Sequence, residues 1–197
     1  ITNVEGYFDQ LSKRPAYPVF TDEMYVECHR GTYTTQARTK RNNRKAELAL
    51  YAAEALSASA ATLGARYPKK DLEAAWKLAL FNQFHDVLPG SSIALVYQDA
   101  DRDYAKLFET TGRLTSAAMA SLAAKIDTRG PGKPVLVFNP SAWERVDVVL
   151  VDVPSGPCRI ADSDGNILPS QPVTGQKGRL AVLATVPPLG YAVLRVL

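Results

Sequence analysis

Thr128-Arg129-Gly130-Pro131-Gly132 divides the sequence into two parts of unlike pattern. Upstream lie long Ala-, Leu- and Lys-rich stretches with few breakers, and downstream come Val-rich runs cut short by Pro and Gly. Gly and Pro punctuate local structure because one permits φ values that side chains forbid and the other removes a backbone donor. The five residues, 128–132, therefore read as a linker between a helical part and a β part.

Working back from the linker, residues 34–63 read as a long helix. Leu48, Ala52, Ala55, Ser59 and Leu63 recur at intervals of three and four, the period of one helix face, and the small members would admit a close neighbour. Gly64 is the expected stop, with Pro68 beyond it. Asp71 is placed to cap a second helix, whose stripe is Leu72, Ala75, Trp76, Ala79 and Phe84. Pro89-Gly90 interrupts that pattern. Ser91 or Ser92 is placed to cap a third helix, with Val96, Ala100, Leu107, Leu114, Ala118 and Leu122 facing inward. Three helices with short connections predict an up-down-up bundle over 34–127.

Residues 1–33 are mixed. Val4 to Leu11 suits a short helix, Pro15 and Pro18 break the chain, and Val19-Phe20 and Met24-Tyr25-Val26 alternate like short strands. This segment is expected to be the tail of a preceding domain. The sequence opens without Met, so the chain is expected to start inside a longer protein.

Past the linker, Pro134 to Phe138, Val146 to Val151, Leu180 to Val186 and Ala192 to Leu197 read as strands. Asp162-Ser163-Asp164-Gly165 reads as a turn between Arg159-Ile160-Ala161 and Ile167-Leu168. Residues 133–197 are thus expected to open an antiparallel β-sandwich. The fold class is α+β: a three-helix bundle followed by a sandwich portion.

The net charge of +3 is too small to argue for a nucleic-acid partner. Arg38, Lys40, Arg41, Arg44 and Lys45 form a basic cluster with no interleaved aromatics, which suits the solvated face of a helix start. No apolar run approaches the roughly 20 residues of a membrane helix. Cys28 and Cys158 lack the spacing of a metal clip, and two cysteines make no disulfide framework, which favours a reducing, cytoplasmic setting.

The chain has 2 histidines, so candidate imidazole chemistry is confined to two places. His85 lies in Gln83-Phe84-His85-Asp86, just before the Pro89-Gly90 break, where a helix end can project polar groups into a cleft. An imidazole binds zinc through one nitrogen while the other donates to an outer acceptor, and Asp86 is placed to be that acceptor, a further ligand or a hydrogen-bond partner for a sugar hydroxyl. A lone His-Asp pair also serves as an ordinary helix-end contact, and zinc needs three or four ligands. His29 lies in Glu27-Cys28-His29-Arg30-Gly31-Thr32-Tyr33, either a pocket rim for a polyhydroxylated ligand or an ion-pair cluster at a helix start. Paired carboxylates for sugar hydrolysis cannot be assigned from spacing, because the two geometries differ by separation in space.

Three stretches in order change this reading. Residues 27–37, followed by Lys40 and Arg44, resemble the entry to the helical domain of family 38 glycoside hydrolases, the α-mannosidases. Gln83-Phe84-His85-Asp86-Val87-Leu88-Pro89-Gly90-Ser91 resembles the family's His-Asp signature, and Val137-Phe138-Asn139-Pro140-Ser141-Ala142-Trp143 resembles the opening of its C-terminal β region. The resemblance covers essentially the whole chain and leans toward the bacterial and cytosolic branch.

It implies a zinc-dependent retaining enzyme acting on mannose-containing oligosaccharides. His85 would be one metal ligand, and Asp86 would touch the mannose; His29 and Arg30 are candidate further substrate contacts on the pocket-rim reading above. The nucleophile, the acid and the remaining ligands would lie in an N-terminal catalytic domain of the same protein, since no segment here matches their motifs. The chain alone is expected to be inactive and to retain no zinc. Self-association stays open, and the competing reading is a non-catalytic carbohydrate-binding or assembly module.

Overall fold

A computed structural model of the chain describes residues 3–24 and 27–197. The chain forms two compact units, Ile1–Thr35 and Gln36–Leu197.

In the first unit, helix α1 (Val4–Ser12) is capped by Asn3, whose side chain accepts from Gly6 N at 2.8 Å. A 3-10 helix follows at Glu27–Tyr33, and neither helix buries a residue. Val19 and Phe20 lie in irregular, exposed chain and not in a strand, and among the described residues none pairs with them. Of the other expected strand, Tyr25 and Val26 lie outside the described residues.

The second unit begins with α2 (Ala37–Thr62), α3 (Lys69–Phe81) and α4 (Ala94–Ala123). Their directions follow from side-chain contacts. Lys40, near the start of α2, reaches carbonyls just past the end of α3, so these two helices run in opposite directions. Asp71, in the first turn of α3, lies 3.6 Å from Arg113, far along α4. Arg38 pairs with Asp101, joining the starts of α2 and α4. The bundle is therefore up-down-up.

Gly64 ends α2 with φ +96°, while Ala65 N bonds Ala60 O and Gly64 N bonds Ala61 O, both at 3.1 Å. That paired pattern satisfies carbonyls left over at a helix end, and a left-handed glycine makes it possible.

Several helix details differ from the sequence expectation. The buried face of α2 is Thr39, Asn43, Ala46, Leu50, Ala53, Leu56, Ser57 and Ala60, whereas Leu48 and Leu63 are exposed. In so alanine-rich a helix several faces are apolar, and the one that packs starts with polar residues. Leu72, Ala75 and Ala79 are buried on α3 as expected, but Phe84 lies past the helix and is exposed. Asp71 sits inside the first turn of α3, whose cap is Pro68, and Ile93 caps α4 with no side-chain bond. Ser91 and Ser92 are otherwise engaged, as described below. On α4 the inward stripe holds: Ala100, Leu107, Leu114 and Ala118 are buried.

Tyr104 fills the bundle centre beside Ala46, Leu50, Ala75, Ala79 and Leu107. Its hydroxyl has no hydrogen-bond partner among the described residues. Burial, followed by the nearby Glu47 and Asp103 charges, pushes its pKa up to about 12. A buried hydroxyl without a partner costs free energy that a phenyl ring does not. Tyr104→Phe is therefore expected to hold or raise stability, by up to about 1 kcal/mol, in a denaturant titration of this chain. A clear loss of stability would contradict this.

The β part holds β1 (Lys133–Asn139), β2 (Arg145–Asp152), β3 (Ile160–Ala161), β4 (Ser170–Pro172), β5 (Arg179–Val186) and β6 (Gly190–Val196). They form two three-stranded antiparallel sheets, ordered β1-β6-β3 and β2-β5-β4. Alternate residues of both sheets meet in one core: Val151, Val182 and Ala184 from one, Ile160, Leu194 and Val196 from the other. This is sandwich packing. Asn139 ties the β1–β2 corner, its amide donating to the carbonyls of Trp143, Val186 and Pro187 while its carbonyl accepts from Ser141 N.

Bundle and sandwich meet directly. Phe138 of β1 packs against Leu56, Ala60 and Ala118. The segment between them is pinned from below by Arg195, whose guanidinium donates to the carbonyls of Thr128, Arg129 and Pro131. Gly132 holds φ +73°, and a Cβ there would collide with the Val196 carbonyl oxygen.

Candidate functional site

The α3 helix ends at Phe81 because the chain then tightens into successive turns, with Phe84 N bonding Phe81 O and Val87 N bonding Phe84 O. Pro89 cannot continue a helix, and Gly90 takes φ +93° to reverse the chain. Val87 is buried in the bundle core and anchors the turn, while Phe84, His85 and Asp86 face outward.

His85 Nε2 lies 3.4 Å from Asp86 Oδ2, with the two side chains 76% and 58% exposed, so the pair is presented rather than buried. The Phe84 ring flanks the imidazole, centroids 4.2 Å apart and tilted 39°. Asp86 is held from the α4 side. Ser91 Oγ donates to its Oδ1 at 3.1 Å, Ser92 Oγ to its backbone carbonyl at 2.6 Å, and Tyr97 hydroxyl to the same carbonyl at 3.3 Å. Tyr97 also accepts from Ser92 N at 2.8 Å. The two serines thus close the turn around Asp86 instead of capping α4.

From α2 the turn is held by polar residues that periodicity could not single out. Gln83 Nε2 donates to Asn43 Oδ1 and Glu47 Oε1, both at 3.1 Å. Asn43 also donates to Glu47 Oε1, and Arg44 to Glu47 Oε2. Lys40 Nζ donates to the carbonyls of Leu88 at 3.0 Å and Pro89 at 3.2 Å. Burial pushes the Lys40 pKa down. The i, i+4 spacing of Lys40 and Arg44 was visible in the sequence, but their partners were not.

His29 and Arg30 belong to the other unit. His29 Nδ1 lies 3.3 Å from Cys28 Sγ, its carbonyl accepts from Thr32 Oγ1 at 2.7 Å, and Arg30 Nη2 lies 3.7 Å from Glu27 Oε1. Glu27, Cys28, His29 and Arg30 stand exposed on the 3-10 helix, and Thr32 is half-buried. The structure pairs His85 with Asp86, whereas His29 lies against Cys28 and Arg30 against Glu27.

No three His, Cys, Asp or Glu side chains cluster closely enough to hold a metal among the described residues. The donor set of the turn, an exposed imidazole with a carboxylate alongside as outer partner, fits one contribution to a divalent-ion site. Among the described residues no helix is long and apolar enough to cross a membrane.

The chain thus carries an exposed His-Asp turn on a three-helix bundle, with a β-sandwich docked on that bundle. Residues 27–122 match the family model of the alpha mannosidase middle domain, and together with the relatives below this supports an α-mannosidase fragment. It is 37% identical over 172 residues to alpha-mannosidase 2C1 of Mus musculus, an alignment covering 86% of this chain and 14% of that protein. It is 40% identical over 102 residues to an alpha-mannosidase of Saccharomyces cerevisiae, covering 48% of this chain and 9% of that one. The chain thus spans about a seventh of the length of the mouse relative. A glycosyl hydrolase family 38 protein of Enterococcus faecalis shares the fold with a TM-score of 0.73 at 19% identity, over 100% of this chain and 28% of that chain.

Proposed function

We propose that this chain is the middle helical domain and the start of the C-terminal β region of a zinc-dependent, retaining α-mannosidase acting on terminal α-mannosides. The bundle over 34–127 and the sandwich portion over 133–197 are its two parts, with 1–33 as the tail of the preceding catalytic domain. One observation carries the reading. The only imidazole of the second unit is presented outward beside a carboxylate on a turn clamped from two helices, inside the stretch that matches the mannosidase middle domain.

In this reading His85 supplies one metal ligand, and Asp86 orients the imidazole and accepts from a sugar hydroxyl. His29 and Arg30 contact further hydroxyls of the mannose-containing oligosaccharide. A bound zinc ion supplies Lewis-acid binding of sugar hydroxyls. The nucleophile and the acid belong to a catalytic domain outside this chain, and the full-length protein works in the cytoplasm.

The reading has a simple test. The full-length protein is expected to hydrolyse a chromogenic α-mannoside, and the purified 197-residue chain to show no turnover even with added zinc. Turnover that tracks the isolated chain through purification would sink the assignment of the bond-breaking residues elsewhere.

A further inference from the structure

We propose that Lys40 is a positioning residue of this site, holding the turn that carries His85 and Asp86 against the start of α2 through the carbonyls of Leu88 and Pro89. The inference rests on the reading of His85 as a metal ligand.

Lys40 bridges 48 and 49 sequence positions to make these two bonds. Its ammonium is partly withdrawn from water, which carries a cost and lowers its pKa. An apolar side chain of similar length could cover the same surface without that cost. What the ammonium adds is direction. Two convergent charge-assisted bonds fix where Leu88 and Pro89 sit relative to α2.

Ser91, Ser92 and Tyr97 hold the same turn from the α4 side, and Gln83 holds its start through Asn43 and Glu47. Lys40 grips the end opposite Gln83, so His85 and Asp86 lie between two fixed points on one helix. A metal ligand placed without such support loses affinity, typically about 10- to 100-fold when an outer partner is removed.

The test uses the full-length mannosidase. In Lys40→Met, hydrogen exchange of the peptide spanning 84–90 is expected to rise, and the chelator concentration that strips half the bound zinc to fall about 10-fold. KM for a chromogenic mannoside should rise by more than kcat falls, and Lys40→Arg should restore most of both. Should Lys40→Met fail to fold, Lys40→Gln gives the same readouts.

Unchanged exchange overturns the clamp. Faster exchange with zinc retention and KM intact makes Lys40 merely structural and overturns the positioning role. His85→Ala, run in parallel, separates the two ideas. If it keeps its zinc, the site reading falls and Lys40's role falls with it; if it loses zinc while Lys40→Met does not, only the Lys40 proposal fails.

Discussion

His85→Ala in the full-length enzyme is expected to lose bound zinc and mannosidase activity together while the fold survives. The side chain is 76% exposed, and its neighbours are the Phe84 ring and the Asp86 carboxylate. Removing it opens no cavity and strands no buried donor, and exposed substitutions of that kind change stability by about 0.5 kcal/mol or less. Its effect on a metal site is of another order. Catalytic zinc is held by as few as three protein ligands, and removing even an outer partner costs roughly 10- to 100-fold. Losing a direct ligand should cost more than about 100-fold in kcat/KM. Zinc per protein after dialysis, kcat/KM and the thermal melt together make the measurement. Unchanged zinc would favour the competing module, in which the pair merely closes a turn.

Arg195→Ala is expected to destabilise the junction strongly, by about 2–4 kcal/mol in a denaturant titration. The residue is 9% exposed, and its guanidinium serves three carbonyls of the connecting segment. Hydrogen bonds from a charged donor contribute more than neutral ones, and the carbonyls left behind remain partly covered. Protease cleavage within 128–132 should appear in the variant at concentrations that leave the parent intact. Arg195→Lys should recover only part of the loss, since one ammonium cannot span the fork of acceptors. A variant as stable and as resistant as the parent would show that Phe138 packing alone holds the junction.

How legible these features were depends on how local their causes are. Strands β1, β2, β5 and β6 could be read to within a residue or two because alternation and Pro/Gly punctuation act over a few positions. The Asp162 turn is equally local: its carboxylate accepts from Asp164 N and Asn166 N, both at 2.9 Å. Strand β4, Ser170-Gln171-Pro172, could not be read, because an exposed edge strand ending in Pro carries no apolar pattern. The packing face of α2 was misread because alanines occupy several faces, and Thr39, Asn43 and Ser57 join the buried one. Ser91 and Ser92 had the chemistry of caps, but Asp86 captures both.

At the site, His85 and Asp86 stood out only as part of three ordered family-like motifs. Their grip by Lys40, Asn43, Glu47 and Tyr97 depends on bundle geometry, which no local pattern encodes. His29 and Arg30 were equally visible as residues, and the structure gives them local partners, Cys28 and Glu27.

The α4 helix runs 30 residues, from the Tyr97 end that bonds Asp86 to the Ala118 end that meets Phe138. At 1.5 Å per residue it is a rod of about 45 Å, and a tilt of roughly 3° at one end swings the other by about 2 Å. A functional side chain tolerates only about 0.5 Å of misplacement. The sandwich contact at Phe138 and the turn carrying Asp86 thus sit toward opposite ends of one helix, so a change of volume at Phe138 is expected to bear on the turn as well as on the junction.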